Sequence, residues 1–309
     1  MTAEANTAKG EPASLGVALA WTFAGLGIGF LIKGQCAIYP WVDKFEYRHL
    51  CYNDIQPLFG VRGISRGLVP YRDVLVEYPV LTGTFMDLTG RLLRVLVRLG
   101  LVSAPSDGAY FALTAILLTP FALAVTLILR PHVTRQRLLV WAVGTPLILY
   151  AFHNWDLIAV AAAVWGLAAL ERRRTATAGA AWALGASAKL FPAFFMPGAL
   201  LDSWAKRERR DVVRLAAGFL VLYLAVNVPW IVASHGVPET GGLSSDKLAG
   251  VSVREPGTNG WMEVWFFHAE RYPDFGTVWY WLAKYGRKAY PASFWEPGQP
   301  GYRDFVSLA

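Results

Sequence analysis

The sequence predicts an all-α fold, that of a polytopic helical membrane protein with about seven transmembrane helices. Hydrophobic residues make up 55% of the 309-residue chain and charged residues only 17%, whereas roughly a quarter of the residues in a soluble domain are charged. Long apolar runs recur, and the mean hydropathy is +0.36. Arginines and lysines cluster between these runs, so the positive-inside rule accounts for the net charge of +7. The charge therefore does not indicate a nucleic acid partner.

The first helix is predicted from the apolar run Leu15–Ile32, which ends at Lys33. Residues 1–14 are small and polar, and we expect them to form a disordered cytoplasmic tail. The apolar run is long for a signal peptide, and no small-x-small cleavage site follows it. Residues 15–33 are therefore predicted to be a retained transmembrane helix.

Residues 109–233 are predicted to form a block of six further transmembrane helices. Several of the apolar runs are shorter than the roughly 20 residues of a straight span, so they are expected to be tilted, broken or half-spanning. The runs are Ala109–Leu129, Leu138–Phe152, Leu157–Leu170, Ala176–Ala188, Leu190–Trp204 and Val212–Ala233. Arginines and lysines concentrate in every second connection, which places those loops in the cytoplasm and the turns at 154–156 and 189–192 outside.

Residues 34–108 are predicted to be one long extracytoplasmic loop. The helix before this segment is predicted to end outside, and the helix after it is predicted to begin outside. An extra span at Val80–Val102 would place Asp87, Arg91 and Arg94 near the bilayer centre, at a cost of about 2.5–3.5 kcal/mol each. The charged residues share one helical face, so this stretch is predicted to be an amphipathic helix lying in the membrane interface. Residues 234–309, rich in Gly, Pro and Trp, are predicted to be a second extracytoplasmic segment.

Several short motifs, taken in chain order, carry a family resemblance. They are Asp54-Ile55 with Leu58-Phe59, Gly67 through Pro70-Tyr71, Glu77-Tyr78-Pro79, Asn154-Trp155-Asp156-Leu157, Ala188-Lys189-Leu190-Phe191-Pro192, and Arg271 with Asp274 through Tyr280. With seven spans and a long first outer loop, the chain resembles the GT-C glycosyltransferases, most closely the mannosyltransferase-like integral membrane proteins of glycosyltransferase family 87. Such proteins usually continue with more helices, so the chain resembles a C-terminally short member.

The resemblance implies a multi-pass enzyme of the cell membrane that moves a hexose, with mannose the first candidate, from a polyprenyl-phosphate donor. The acceptor would be a lipid or glycan at the outer face, and membrane lipids would be the other partners. No cofactor, divalent metal or nucleic acid is implied. The alternative is a non-catalytic membrane protein, or a transporter or flippase subunit for lipid-linked sugars. A transporter would often show internal repeats, which the sequence lacks.

The chemistry of transfer from a sugar phosphate requires a base for the acceptor hydroxyl and a cation for the departing phosphate. Asp54 is the candidate base; the alternative is that Asp54, after Asn53, forms an Asx turn or caps the next helix. Glu77 is the second candidate, as acceptor ligand or alternative base, or else it is a solvated loop carboxylate. Asp73 is expected to pair with Arg72 or to be solvated.

The predicted outer turns supply the candidate substrate-binding residues. Tyr78 and Asn154 are included by the motifs that contain them, and His153 by its place in the polar turn that runs to Asp156. Asp156 is expected either to bind acceptor hydroxyls, steer a base or hold a cation, or to cap the helix that starts at Leu157. His153 with Asp156 is too sparse a pair for a metal site, so a structural histidine is favoured over a ligand.

Three cations are candidates for binding the phosphate of the donor. Lys189 lies between two short apolar runs, where it either binds the lipid phosphate as a point charge or extends to the interface. Arg254 and Arg271, in the predicted C-terminal segment, are the runners-up, and their alternative is ordinary solvation.

The only cysteines, Cys36 and Cys51, both fall in the predicted extracytoplasmic loop. Because that compartment is oxidising, the pair is a disulfide candidate. The alternative is two unpaired buried thiols.

Overall fold

The computed structural model describes residues 11–39, 41–234 and 259–270. Every regular element in these ranges is helical, and the only strand-like pairing there is an isolated bridge between Pro70 and Val74. Three of the described helices are long and apolar enough to cross a membrane: α1 (Leu15–Ile38), α5 (Asp107–Leu129) and α11 (Arg209–Ala233). The all-helical prediction is confirmed for the described residues, whereas the count of seven spans is not.

The remaining described helices include the counterparts of the other predicted spans. They are α2 (Phe45–Arg48), α3 (Ile55–Val61), α4 (Val80–Arg98), α6 (Arg135–Val143), α7 (Thr145–Tyr150), α8 (Asp156–Glu171), α9 (Thr175–Ala188), α10 (Phe195–Ala205) and α12 (Glu263–Glu270). The predicted run Leu138–Phe152 is divided between α6 and α7 because Gly144 is extended and Pro146, in the first turn of α7, has no N–H with which to continue α6. Similarly, Pro192 lies in a 3-10 turn that precedes α10.

The α9 helix packs between α8 and α11 through small residues. A side chain at Gly179 would place its Cβ 2.1 Å from the Leu215 carbonyl oxygen of α11. Gly218 on α11 would meet the Ala176 carbonyl oxygen at the same distance. Close backbone contact of this kind is typical of membrane helices, where small residues let van der Waals contacts hold the helices together.

The α1 helix begins after Ser14, whose hydroxyl caps it by accepting from Val17 N, and continues past Lys33 to Ile38. It packs against α5, α6 and α7. Within this contact the hydroxyls of Thr22 and Thr126 lie 2.8 Å apart. Beyond the middle of the helix, Lys33 and Cys36 are also buried, although the apolar run ends at Lys33.

The predicted amphipathic helix is present as α4, and part of its charged face, at Asp87 and Arg94, packs inward while Arg91 stays exposed. Asp87 is buried and accepts a 2.8 Å hydrogen bond from Arg91, while Arg94 donates to the Ile64 carbonyl oxygen. Gly90 lies on the same face, where a side chain would meet the methyl group of Ile64. Leucines of α4 such as Leu88 are exposed. Because Gly90 has no side chain, this face of α4 can approach the segment at Ile64 closely and become buried against it.

Candidate functional site

The segment that carries Asp54 is attached to the end of α1 at two points. A disulfide joins Cys36 to Cys51, with their Cα atoms 5.5 Å apart. One turn earlier, Lys33 Nζ donates to the carbonyl oxygens of Leu50 at 2.9 Å and Tyr52 at 2.7 Å. Sequence reasoning missed this buried lysine, because a lysine at the end of an apolar run is indistinguishable from one that extends to the interface.

The Asp54 side chain does not cap the helix that follows it. Asn53 does so, since its Oδ1 accepts from Gln56 N at 3.0 Å. The carboxylate of Asp54 instead accepts from two phenols: Tyr52 OH at 2.9 Å from Oδ1, and Tyr78 OH at 2.5 Å from Oδ2. A carboxylate has about four lone-pair positions, so two remain for a further donor.

Tyr78 is a hydrogen-bond donor at neutral pH. Burial raises the pKa of Tyr78 well above its usual value, and the charges of Asp54 and Glu77 raise it further. The ring lies edge-on to Trp155, with centroids 5.3 Å apart. Tyr78 is therefore held as a neutral phenol that orients the Asp54 carboxylate, a role that its motif alone did not specify.

Asp156 and Lys189 form an ion pair across the start of α8 and the end of α9. Lys189 Nζ lies 2.5 Å from Oδ1 and 2.7 Å from Oδ2 of Asp156. Asn154 Oδ1 accepts from Asp156 N at 3.0 Å, so the asparagine again satisfies the backbone at the helix start. Both charged side chains are half-buried. Lys189 neither extends into open solvent nor stands alone as a cation.

His153 connects the Asp54 and Asp156 parts of the site. Its Nδ1 lies 3.2 Å from the Tyr52 carbonyl oxygen, and its own carbonyl accepts from Asp54 N at 2.7 Å. Burial lowers the pKa of His153, although the negative charges of Asp54 and Asp156 oppose that shift. A carbonyl oxygen can only accept, so the neutral ring carries its proton on Nδ1. The structure thus brings Asp54, Tyr78, His153, Asp156 and Lys189 into one cluster.

Glu77 lies beside Tyr78 in the chain, but its carboxylate is held in a buried ion pair. Its Oε2 lies 2.7 Å from Nη2 of Arg62, which is only 2% exposed. This contradicts the reading of Glu77 as a solvated loop carboxylate, and it argues against a base that must meet substrate. Nothing in the sequence distinguished Arg62 from a solvated arginine. The predicted local pairing of Asp73 with Arg72 is confirmed, and this contact lowers the pKa of Asp73.

Two candidate phosphate ligands, Arg254 and Arg271, lie outside the described residues. Within the described ranges, no group of three or more His, Cys, Asp or Glu side chains is arranged to hold a metal ion. Comparisons with family models, curated proteins and solved structures found no match to the chain. The site must therefore be interpreted from its own geometry.

Proposed function

We propose that this protein is a membrane glycosyltransferase that moves a hexose, with mannose the first candidate, from a polyprenyl-phosphate donor to a lipid or glycan acceptor. The proposal rests on the hydrogen bonding of the Asp54 carboxylate. Asn53 satisfies the helix start, so the Asp54 carboxylate is available, half-buried and oriented by two phenols. Within the described residues, no lysine or arginine forms an ion pair with Asp54.

Asp54 serves as the general base in the proposed reaction. The acceptor hydroxyl donates to a remaining lone pair of the carboxylate, which takes the proton as the acceptor oxygen attacks the anomeric carbon. The bond from that carbon to the phosphate oxygen breaks, and the phosphate leaves with the electron pair. At the end of the step the proton is on Asp54, the hexosyl group is on the acceptor oxygen and the electron pair is on the phosphate. The step needs no nucleotide.

Lys189 stabilises the departing phosphate. An ammonium group has three N–H donors, and two suffice for the oxygens of Asp156. The third remains for a phosphate oxygen, and the low-dielectric surroundings of a half-buried pair strengthen that contact. Asp156 keeps the lysine at the site when no donor is bound.

The protein is proposed to be a multi-pass protein of the cell membrane, with the Asp54 segment at the outer face. The support is the pattern of basic loops together with a disulfide between Cys36 and Cys51. Disulfides persist mainly in oxidising compartments, and a polyprenyl-phosphate donor, unlike a nucleotide sugar, is available there.

The test is sugar transfer by the purified full chain in proteoliposomes supplied with radiolabelled polyprenyl-phosphate mannose or glucose. The expected result is saturable formation of a labelled glycoside with release of one polyprenyl phosphate for each sugar transferred. Movement of intact lipid-linked sugar between leaflets, without glycoside formation, would instead identify a flippase. Absence of both reactions with every donor and acceptor supplied would overturn the proposal.

A further inference from the structure

A row of aromatic rings runs beside Asp54. The Tyr47 and Tyr52 rings are stacked, with centroids 5.3 Å apart and planes at 13°. The Tyr52 ring is tilted against His153 at 5.4 Å, and His153 is tilted against Tyr150 at 5.5 Å. We call these four residues the aromatic row. Its two end residues are more than half exposed, Tyr47 at 57% and Tyr150 at 60%.

The aromatic row is fastened to the proposed base. Tyr52 OH donates to Oδ1 of Asp54 at 2.9 Å, and His153 accepts from Asp54 N through its carbonyl oxygen. Lys33 and the disulfide hold the backbone at Tyr52 and at Cys51 directly before it. A binding surface that is ordered before its ligand arrives avoids part of the entropy cost of binding. The aromatic row therefore has the features of a preorganised binding site.

The chemistry of the aromatic row fits a sugar ring. Aromatic faces carry negative potential, which attracts the weakly positive C–H groups on the face of a pyranose. Phenol groups and the Asp54 carboxylate provide hydrogen-bond partners for hydroxyls at the edge of such a ring. The lowered pKa of His153 keeps its ring uncharged at neutral pH, so this row gives no cation for an anionic headgroup.

We propose that the aromatic row is the acceptor subsite, and that the acceptor is therefore a carbohydrate. A pyranose ring stacks on Tyr47 or Tyr150 and presents a hydroxyl to Asp54. This assignment rests on the proposed transferase function and narrows its acceptor from lipid or glycan to glycan. It also separates the two substrates in space, with the donor phosphate at Lys189 and the acceptor sugar along the row.

The test compares three single variants of the full chain in lipid nanodiscs. Tyr47→Ala and Tyr150→Ala each remove an exposed ring of the row, and Tyr39→Ala removes a tyrosine of similar exposure, 54%, that pairs with Phe45 instead. Binding of methyl hexopyranosides is followed by saturation-transfer NMR, and transfer kinetics are measured with varied acceptor and varied donor.

The row variants should each weaken sugar binding and raise the acceptor KM about 2- to 10-fold, the range for loss of one aromatic contact. The donor KM should not change, and Tyr39→Ala should behave as the wild type. Tyr47→Phe keeps the ring and should restore most of the affinity.

Sugar binding that is equal in wild type, Tyr47→Ala and Tyr150→Ala would overturn the subsite. An equal loss in Tyr39→Ala would also overturn it, because that result indicates a general interfacial role of tyrosines. If transfer is never observed but sugar binding depends on the row, the transferase proposal fails and the carbohydrate site stands. If transfer occurs but the row variants change only the donor KM, the transferase stands and the subsite assignment fails.

Discussion

Asp54 and Asp156 occupy similar places in the sequence and very different ones in the structure. Each lies at the start of a helix shortly after an asparagine, Asn53 one residue before Asp54 and Asn154 two residues before Asp156. In each case the asparagine Oδ1 accepts from a backbone N–H. Asp54 is then held by two neutral phenols, whereas Asp156 is paired with the ammonium of Lys189. One carboxylate remains available to accept a proton, and the other positions a cation.

The difference shows that the partner, and not the local motif, decides what a carboxylate at a helix start can do. Glu77 gives a third outcome, since its ion pair with Arg62 is almost fully buried. Taking one partner from a buried pair leaves an uncompensated charge, so such a pair is suited to holding structure. Substitutions can separate the proposed base, Asp54, from the carboxylate that positions a cation, Asp156, and from the structural carboxylate, Glu77.

The largest effect is expected for Asp54→Asn. Turnover should fall at least about 100-fold because the base is lost. The midpoint of thermal unfolding should stay close to that of the wild type, because Asn53 provides the cap. Transfer is measured with saturating donor and acceptor, alongside unfolding in detergent. A variant working at nearly the wild-type rate would remove Asp54 from the base role.

The second prediction concerns Lys189→Ala. Losing a charge-assisted contact to the donor phosphate, worth about 1.5–3 kcal/mol, should lower kcat/KM for the donor roughly 10- to 100-fold. Both donor KM and kcat should change, because the phosphate is charged before and after transfer. The matched control is the double variant Asp156→Asn with Lys189→Met, which removes the pair together. Recovery of activity in the double variant would indicate that Lys189 only neutralises Asp156.

A smaller effect is expected for Asn53→Ala. This change removes a helix cap, so the free energy of unfolding should fall by about 1 kcal/mol. Asn154→Ala should act in the same direction, since it removes the acceptor for Asp156 N. Asp54→Asn is the control: Asn53 still caps the helix and the new amide oxygen still accepts from a phenol, so its unfolding free energy should fall less. A larger loss in Asp54→Asn than in Asn53→Ala would contradict the assignment of the cap to Asn53.

The smallest effect is expected from pH, through His153. The pKa of His153 in the folded protein is lowered from 6.5, so the unfolded chain binds the proton first as pH falls. The stability contributed by the neutral ring is complete above pH 6.5 and is lost as pH falls below it, at about 1.4 kcal/mol per unit of pKa difference.

His153→Gln should remove that part of the pH dependence of the unfolding midpoint between pH 7.5 and 5.5. Asp54→Asn should increase it, because the Asp54 charge raises the pKa of His153. An unchanged slope in both variants would contradict the position of His153 between the two carboxylates.

The sequence located the polar residues of the site better than it assigned their partners. Asp54, Tyr78, His153, Asp156 and Lys189 were all candidates, and in the structure they lie in one cluster. The capping alternative for Asp54 was reasonable, since aspartate and asparagine cap helices about equally well. Adjacent residues compete for the same backbone N–H groups, and composition alone does not decide which of them bonds.

By itself the sequence determined that the chain is helical and apolar enough for a membrane, because hydrophobic run length and the positions of proline and glycine act locally along the chain. It also restricted the disulfide to one pair, since only Cys36 and Cys51 are present. The tertiary structure decided that Lys33 is buried against the Asp54 segment, that Arg62 neutralises Glu77, and that Asp87 and Arg94 of α4 pack inward. The physical reason is that the cost of burying a charge depends on the partner that meets it, and these partners come from residues far apart in the chain or from a close approach that only the fold creates.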